Sequence, residues 1–295
     1  TPDTQRTYQA LNNCNLTVQI STKLNRSHVI TGKRALILPC LGRTEIDRQA
    51  SGEQCITVED SMSMVHSSAG QNEPASNTLL SETAIVSAIA TASVGNEVVN
   101  WSQLAGDYRL IREEISQVIP GFENYNVKIK SGRSFYLPNA ASSRNWDTPE
   151  NKAAFCDDDL PKKLAHEIAE TMTEKPVLTL QTMRSHDQYN TTIYGMDDRY
   201  RGVYGERNLL FISAKDMSKQ KLKSGDKVNI RSIASDGIKR TISNFKVIEY
   251  TIPEGCVAAY YPETNPLVPL ESIADDCGTP TYKSIAISIE KVSIN

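Results

Sequence analysis

From Val177 onward the chain is a succession of short apolar or alternating stretches separated by turn residues, and that spacing limits the fold more than any other feature. Val177 to Leu180 alternates as a half-buried strand should. Leu209 to Ile212, Phe245 to Tyr250, Cys256 to Tyr260 and Ser284 to Ile289 read as further strands, and LKSGDKVNI (222–230) as a Ser-Gly-Asp turn feeding another. Ser213 is suited to cap a one-turn helix at 215–219, and Ile252-Pro253-Glu254-Gly255 to turn the chain between two strands. Many short strands with almost no helix leave few ways to hide sheet edges, and closure removes those edges altogether. Residues 176–295 are therefore expected to form a closed barrel.

The first half carries a different pattern. Asp3 or Thr4 is expected to cap a short helix to about Asn13, with strands at Leu16 to Ile20 and Ala35 to Pro39. A helix is expected at Ser81 to Ala92. Another is expected at Ser102 to Val118, where Leu104, Tyr108, Ile111, Ile115 and Val118 recur at helical spacing until Pro120-Gly121 stops it. Two buried-looking strands joined through helix and loop fit a parallel α/β sheet, which needs more strands than two. The chain also opens on Thr1-Pro2-Asp3 without Met. The expectation is the C-terminal part of a larger protein: an incomplete parallel-sheet α/β segment over 1–130, a linker over 131–175 with one amphipathic helix at Pro161 to Glu170, then the barrel.

Composition narrows the function. Among 295 residues the formal net charge is −3, with Lys and Arg spread along the chain, which argues against a general nucleic-acid binder. No apolar run approaches the roughly 20 residues of a membrane span. The longest, Thr83 to Ala90, reads as a buried helix. Cys14, Cys40, Cys55, Cys156, Cys256 and Cys277 lack the close spacing of a zinc or iron–sulfur site, and are expected to be small buried hydrophobes in a reduced, cytoplasmic protein. His28, His66, His166 and His186 are too dispersed to suggest a metal site, and no motif supplies a nucleophile with its base. Glu59 and Asp60 are neighbours that point apart in a strand, and the Met62/Met64 alternation reads as core.

Three stretches can recognise a ligand. In TMRSHDQYNTT (182–192) almost every side chain donates or accepts a hydrogen bond. Arg184 suits a phosphate or carboxylate, while Gln188, Asn190, Thr191 and Thr192 suit a heterocycle edge or ribose. Tyr189 or Tyr194 suits stacking, and His186 can donate or accept a hydrogen bond. The alternative is a loop whose side chains cap its own backbone. YYPETNPLVP (260–269) holds Glu263, Thr264 and Asn265 on a proline-stiffened turn, and Thr281, Tyr282 and Lys283 precede the last strand. A hydrolase built on His186 with Asp187 or Asp197 is a weaker reading, because no Ser or Cys nucleophile is placed by motif.

LILPCLGRTEID, ITVEDSMSMVH, IPGFENYN, FYLPNA, TMRSHDQYNTTIYGMDDRYRG and YYPETNPLVP resemble the C-terminal portion of the formate-dehydrogenase-like (YdeP-type) molybdopterin oxidoreductases of the dimethyl-sulfoxide-reductase superfamily. The resemblance runs over nearly the whole chain. It implies a six-stranded double-psi β-barrel that binds a molybdopterin dinucleotide. In the full-length enzyme it implies a bis-molybdopterin guanine dinucleotide with molybdenum, two-electron redox chemistry at the metal, a small-molecule substrate and an electron carrier. By the same resemblance, Arg184, Ser185, His186, Gln188, Tyr189, Asn190, Thr191 and Thr192 match the loop lying along the cofactor. Asn265, Tyr282 and Lys283 match positions near the pterins. The metal's protein ligand and any [4Fe–4S] cluster belong upstream, so no catalytic residue is assigned and the 295 residues alone are expected to be inactive. The competing expectation is a non-redox double-psi module that binds a ligand or a protein.

Overall fold

The computed structural model describes residues 1–155, 157, 159–186, 188 and 195–293. The chain forms two compact units, residues 14–158 and residues 1–13 with 159–295. The opening helix, α1 (Thr4–Asn12), thus packs with the second unit. Asp3 occupies its N-cap position but makes no cap bond. Its carboxylate goes instead to Arg240, and its N–H to the Val268 carbonyl at 2.8 Å.

In the unit 14–158, β1 (Leu16–Ser21) and β2 (Arg34–Pro39) pair in parallel, as the sequence predicts. They are not buried: Leu16, Val18, Leu36 and Ile37 are exposed. α2 (Glu82–Val94) starts where Ser81 accepts from the Ala84 N–H. The expectation of a buried helix is corrected here. Most of its residues are apolar, yet only Ile85 is buried, and Val86 and Ile89 face solvent. The helix expected over 102–118 is two, α3 (Trp101–Gly106) and α4 (Tyr108–Val118). Asp107 between them is extended, and its carboxylate caps the second helix through the Arg109 N–H. β3 (Ile56–Glu59), β4 (Met64–Ser68) and β5 (Ser134–Tyr136) form an antiparallel sheet, so part of the expected linker is a strand. Met62 is exposed in the turn rather than in the core, where Asp60 accepts from the Met62 and Met64 N–H groups and pairs with His66. Of the described cysteines only Cys40 is buried, and Cys277 is exposed.

The second unit begins with α5 (Ala165–Glu170), shorter than expected, and continues into the barrel. Its strands are β6 (Leu178–Met183), β7 (Leu209–Ile212), β8 (Lys227–Ser232), β9 (Arg240–Glu249), β10 (Cys256–Tyr260) and β11 (Ile285–Lys291). Around the closed barrel they run β8-β9-β7-β10-β6-β11. β6 pairs with β10 and β7 with β9 in parallel, and every other pair is antiparallel. Advancing each strand by three maps this order onto itself, the pseudo-twofold of a double-psi barrel. Leu180, Leu210, Ile212, Val228, Ile230, Val247, Val257 and Ile287 fill the lumen. All of β7 is buried because Leu209 and Phe211, on its outer face, pack against Val203, Ala258 and Tyr260. Ser213 caps α6 (Ala214–Lys219) as expected. No described helix is long and apolar enough to cross a membrane.

One buried ion cluster ties the opening residues to this barrel. Arg240 donates to Asp3 Oδ2 at 2.9 and 2.8 Å and to both oxygens of Asp236. Removing one partner of a buried ion pair costs about 3–5 kcal/mol. Arg240→Met should therefore lower barrel stability by roughly that amount, read as a shift in the urea midpoint. Hydrogen bonding to Arg240 also holds the Asp236 carboxyl below the usual carboxylate range. Its contribution is therefore full above the unfolded value of about 4 and is lost as pH falls through the lower folded value.

Candidate functional site

Parallel pairing fixes where the polar loops emerge. Because β6 and β10 run side by side in the same direction, with Tyr260 opposite Met183, the segments 184–188 and 261–265 leave the barrel at one rim. The Tyr261 N–H donates to the Met183 carbonyl at 2.8 Å, which seals the two exits together. β11 enters at this same rim, antiparallel to β6, and the Thr182 N–H donates to the Tyr282 carbonyl at 3.0 Å. Arg184, Asn265, Tyr282 and Lys283, separated by up to a hundred residues in sequence, thus share one end of the barrel.

Two cations meet at the rim. The Lys283 ammonium folds back onto the Thr182 carbonyl. Burial first, and the nearby Arg184 guanidinium second, hold its pKa below the ordinary lysine value. Two cations held close enough to repel each other form a site that an anion would relieve. Asn265 is 2% exposed and, among the described residues, its Oδ1 has no hydrogen-bond partner. A buried acceptor left unmatched in a well-packed turn is the kind of atom that a ligand's N–H or O–H satisfies. The Tyr282 ring lies edge-on to Tyr261, with centroids 5.8 Å apart.

Ser185 and Gln188 stand differently. Both are buried, and their oxygens accept from Arg207: Ser185 Oγ from Nη1 and Gln188 Oε1 from Nη2, each at 2.9 Å. Gln188 Nε2 donates to the Tyr261 carbonyl at 2.7 Å. Arg207 itself is 3% exposed and forked on Glu263, with Nε to Oε1 at 2.7 Å and Nη2 to Oε2 at 3.2 Å. Its Nη2 also donates to the Tyr261 carbonyl, and its guanidinium lies 4.8 Å over the Tyr260 ring. His186 is exposed and stacks on Tyr200 at 3.6 Å between centroids. Asp197, its sequence-suggested partner for hydrolysis, accepts from the Gly205 N–H. Asp187, Tyr189, Asn190, Thr191 and Thr192 lie outside the described residues.

Behind the rim, Asp198 Oδ2 accepts from Arg201 at 2.5 Å and from the Tyr260 hydroxyl at 2.9 Å, and Arg201 also donates to the Arg184 carbonyl. Burial raises the Tyr260 pKa, and Asp198 raises it further. Sequence reasoning missed Arg207, Arg201 and Asp198. The only available signal for Arg207 was an Arg two residues before an all-apolar strand, which is also what an ordinary surface residue looks like.

Residues 178–286 match the molydopterin dinucleotide binding domain. The barrel belongs to that family. Over 98% of its length the chain is 43% identical to Protein YdeP of Escherichia coli K12, and 46% identical to an uncharacterized oxidoreductase, Rv2900c, of Mycobacterium tuberculosis. It spans about 38% and 37% of those two relatives. The acetylene hydratase of Pelobacter acetylenicus has the same fold at 14% identity, with a TM-score of 0.66 over 99% of this chain and 42% of that one. Within the dinucleotide-binding barrel, the cationic pair and the unpartnered Asn265 oxygen fit such a ligand: phosphate oxygens for Arg184 and Lys283, and a heterocycle or ribose donor for Asn265.

Arg184→Gln should raise the Lys283 pKa part of the way back, since it removes the repulsion and leaves the burial. Lysine side-chain NMR, or amine acylation rates against pH, would read the shift.

Proposed function

We propose that this chain supplies one wall of the site for a molybdopterin guanine dinucleotide bearing molybdenum, two dinucleotides to the metal, in a larger formate-dehydrogenase-like oxidoreductase. The observation that carries the reading lies in one place. A rim of the dinucleotide-binding barrel gathers two mutually repelling cations and a buried, unsatisfied amide oxygen. On this reading the cofactor-binding domain spans residues 176–295. Arg184 and Lys283 meet the pyrophosphate, and Asn265 accepts from the ligand. Tyr282 flanks it, and His186 lines the mouth. Ser185 and Gln188 shape the loop from beneath. Tyr189, Asn190, Thr191 and Thr192 are assigned to the same site by the family resemblance alone.

When bound, the group supplies the two-electron redox step at the metal, while the protein binds and orients it and sets the local field. No residue of this chain is given a catalytic role. The metal's protein ligand, any [4Fe–4S] cluster, the small-molecule substrate pocket and the electron-carrier surface belong on this reading to other parts of the enzyme.

Elemental analysis and pterin fluorescence after oxidation test the proposal, on the parent protein purified from a host that makes the cofactor. Molybdenum with about two pterins per chain is expected on this reading of the family's chemistry. A well-folded parent with neither would leave the barrel as a binding module without redox chemistry. In that parent, Arg184→Ala should lower molybdenum and pterin content together while the circular dichroism is unchanged. Asn265→Leu separates ligand binding from folding. It removes a buried acceptor that has no partner, so stability in the cofactor-free protein should hold or rise, while cofactor retention falls.

A further inference from the structure

The rim works as a site only if its two exits keep their spacing. Arg184 follows β6 and Asn265 follows the turn after β10, and neither exit is held by the ladder beyond the Tyr261–Met183 bond. Past that bond, Arg207 and the Gln188–Tyr261 bond join the two exits directly, while Arg201 and Asp198 link the Arg184 carbonyl to the Tyr260 hydroxyl. On one side Arg207 holds Ser185 and Gln188 of the first exit. On the other it holds Glu263 and the Tyr261 carbonyl of the second.

We propose that Arg207 is the positioning residue of this site, a buried clamp that sets the separation of the Arg184 and Asn265 segments and so the shape of the ligand slot; as a claim about ligand binding it rests on the function proposed above. A guanidinium suits this position for physical reasons. Its planar fork meets the Glu263 carboxylate with two N–H groups while further donors reach the opposite segment. Glu263 neutralises the buried charge, and the Tyr260 ring beneath fixes the plane of the fork. Lysine keeps the charge but is a point donor on a flexible stem, and cannot hold both sides at once. Arg207 does not itself contact the ligand: its side chain is buried and its donors face protein oxygens.

The test compares Arg207→Lys and Glu263→Gln, singly and together, in the parent protein. Two readouts are used. Hydrogen exchange of the 184–188 and 261–265 amides is followed in cofactor-free protein, and pterin retained after gel filtration is followed in protein from a cofactor-making host. Arg207→Lys should speed exchange in both segments by at least tenfold while the β7 and β8 amides stay protected. It should also lower pterin retention several-fold without a matching loss of folded protein. Glu263→Gln should act in the same direction, and the double variant should add little, because the two residues form one clamp. Unchanged exchange in the two segments would overturn the proposal, as would acceleration spread evenly over the barrel or pterin loss that only tracks the unfolded fraction. If the wild-type parent carries no pterin, the functional proposal fails, and the exchange data still decide the clamp.

Discussion

The parallel pairing of β6 with β10 is the constraint from which the rest of the site follows. In an antiparallel meander, successive loops alternate between the two ends of a barrel. Running two strands in the same direction sends both of their outgoing loops to one end, and the β11 entry joins them there. That end then carries Arg184, Asn265, Tyr282 and Lys283. A closed barrel also has no free edge, so the polar loops are held on a scaffold that does not need them for its own hydrogen bonding.

Charge is distributed with the same logic. In the barrel unit the buried cations Arg207 and Arg240 are each matched by carboxylates. At the rim the arrangement is different: Lys283 and Arg184 repel each other, and the Asn265 oxygen has no partner. A buried acceptor left unsatisfied beside two cations at the rim keeps a hydrogen bond for something outside the barrel.

The unit 14–158 tells a complementary story. β1, β2 and α2 form where the sequence places them, yet Leu36, Ile37, Val86 and Ile89 lie exposed. Local propensity and capping were sufficient to form β1, β2 and α2, while burial of their apolar faces is a property of packing partners that local sequence does not encode. The break at Asp107 was equally hidden. The apolar spacing runs through it, while Gly106 ends one helix and Asp107 caps the next through the Arg109 N–H.

By itself the sequence determined the strand-rich second half, its closure and the loop rich in ligand-suited side chains, since these rest on period, turn residues and composition. Motif resemblance pointed to the cofactor class. Tertiary structure alone decided that Arg184, Asn265 and Lys283 share a rim, that Ser185 and Gln188 turn inward, and that Asp3 serves Arg240 rather than its own helix. Those outcomes depend on pairings between residues up to 237 positions apart. No local pattern records which distant carboxylate a buried guanidinium will find, because that choice is made by the closure of the barrel and not by either residue's neighbours in sequence.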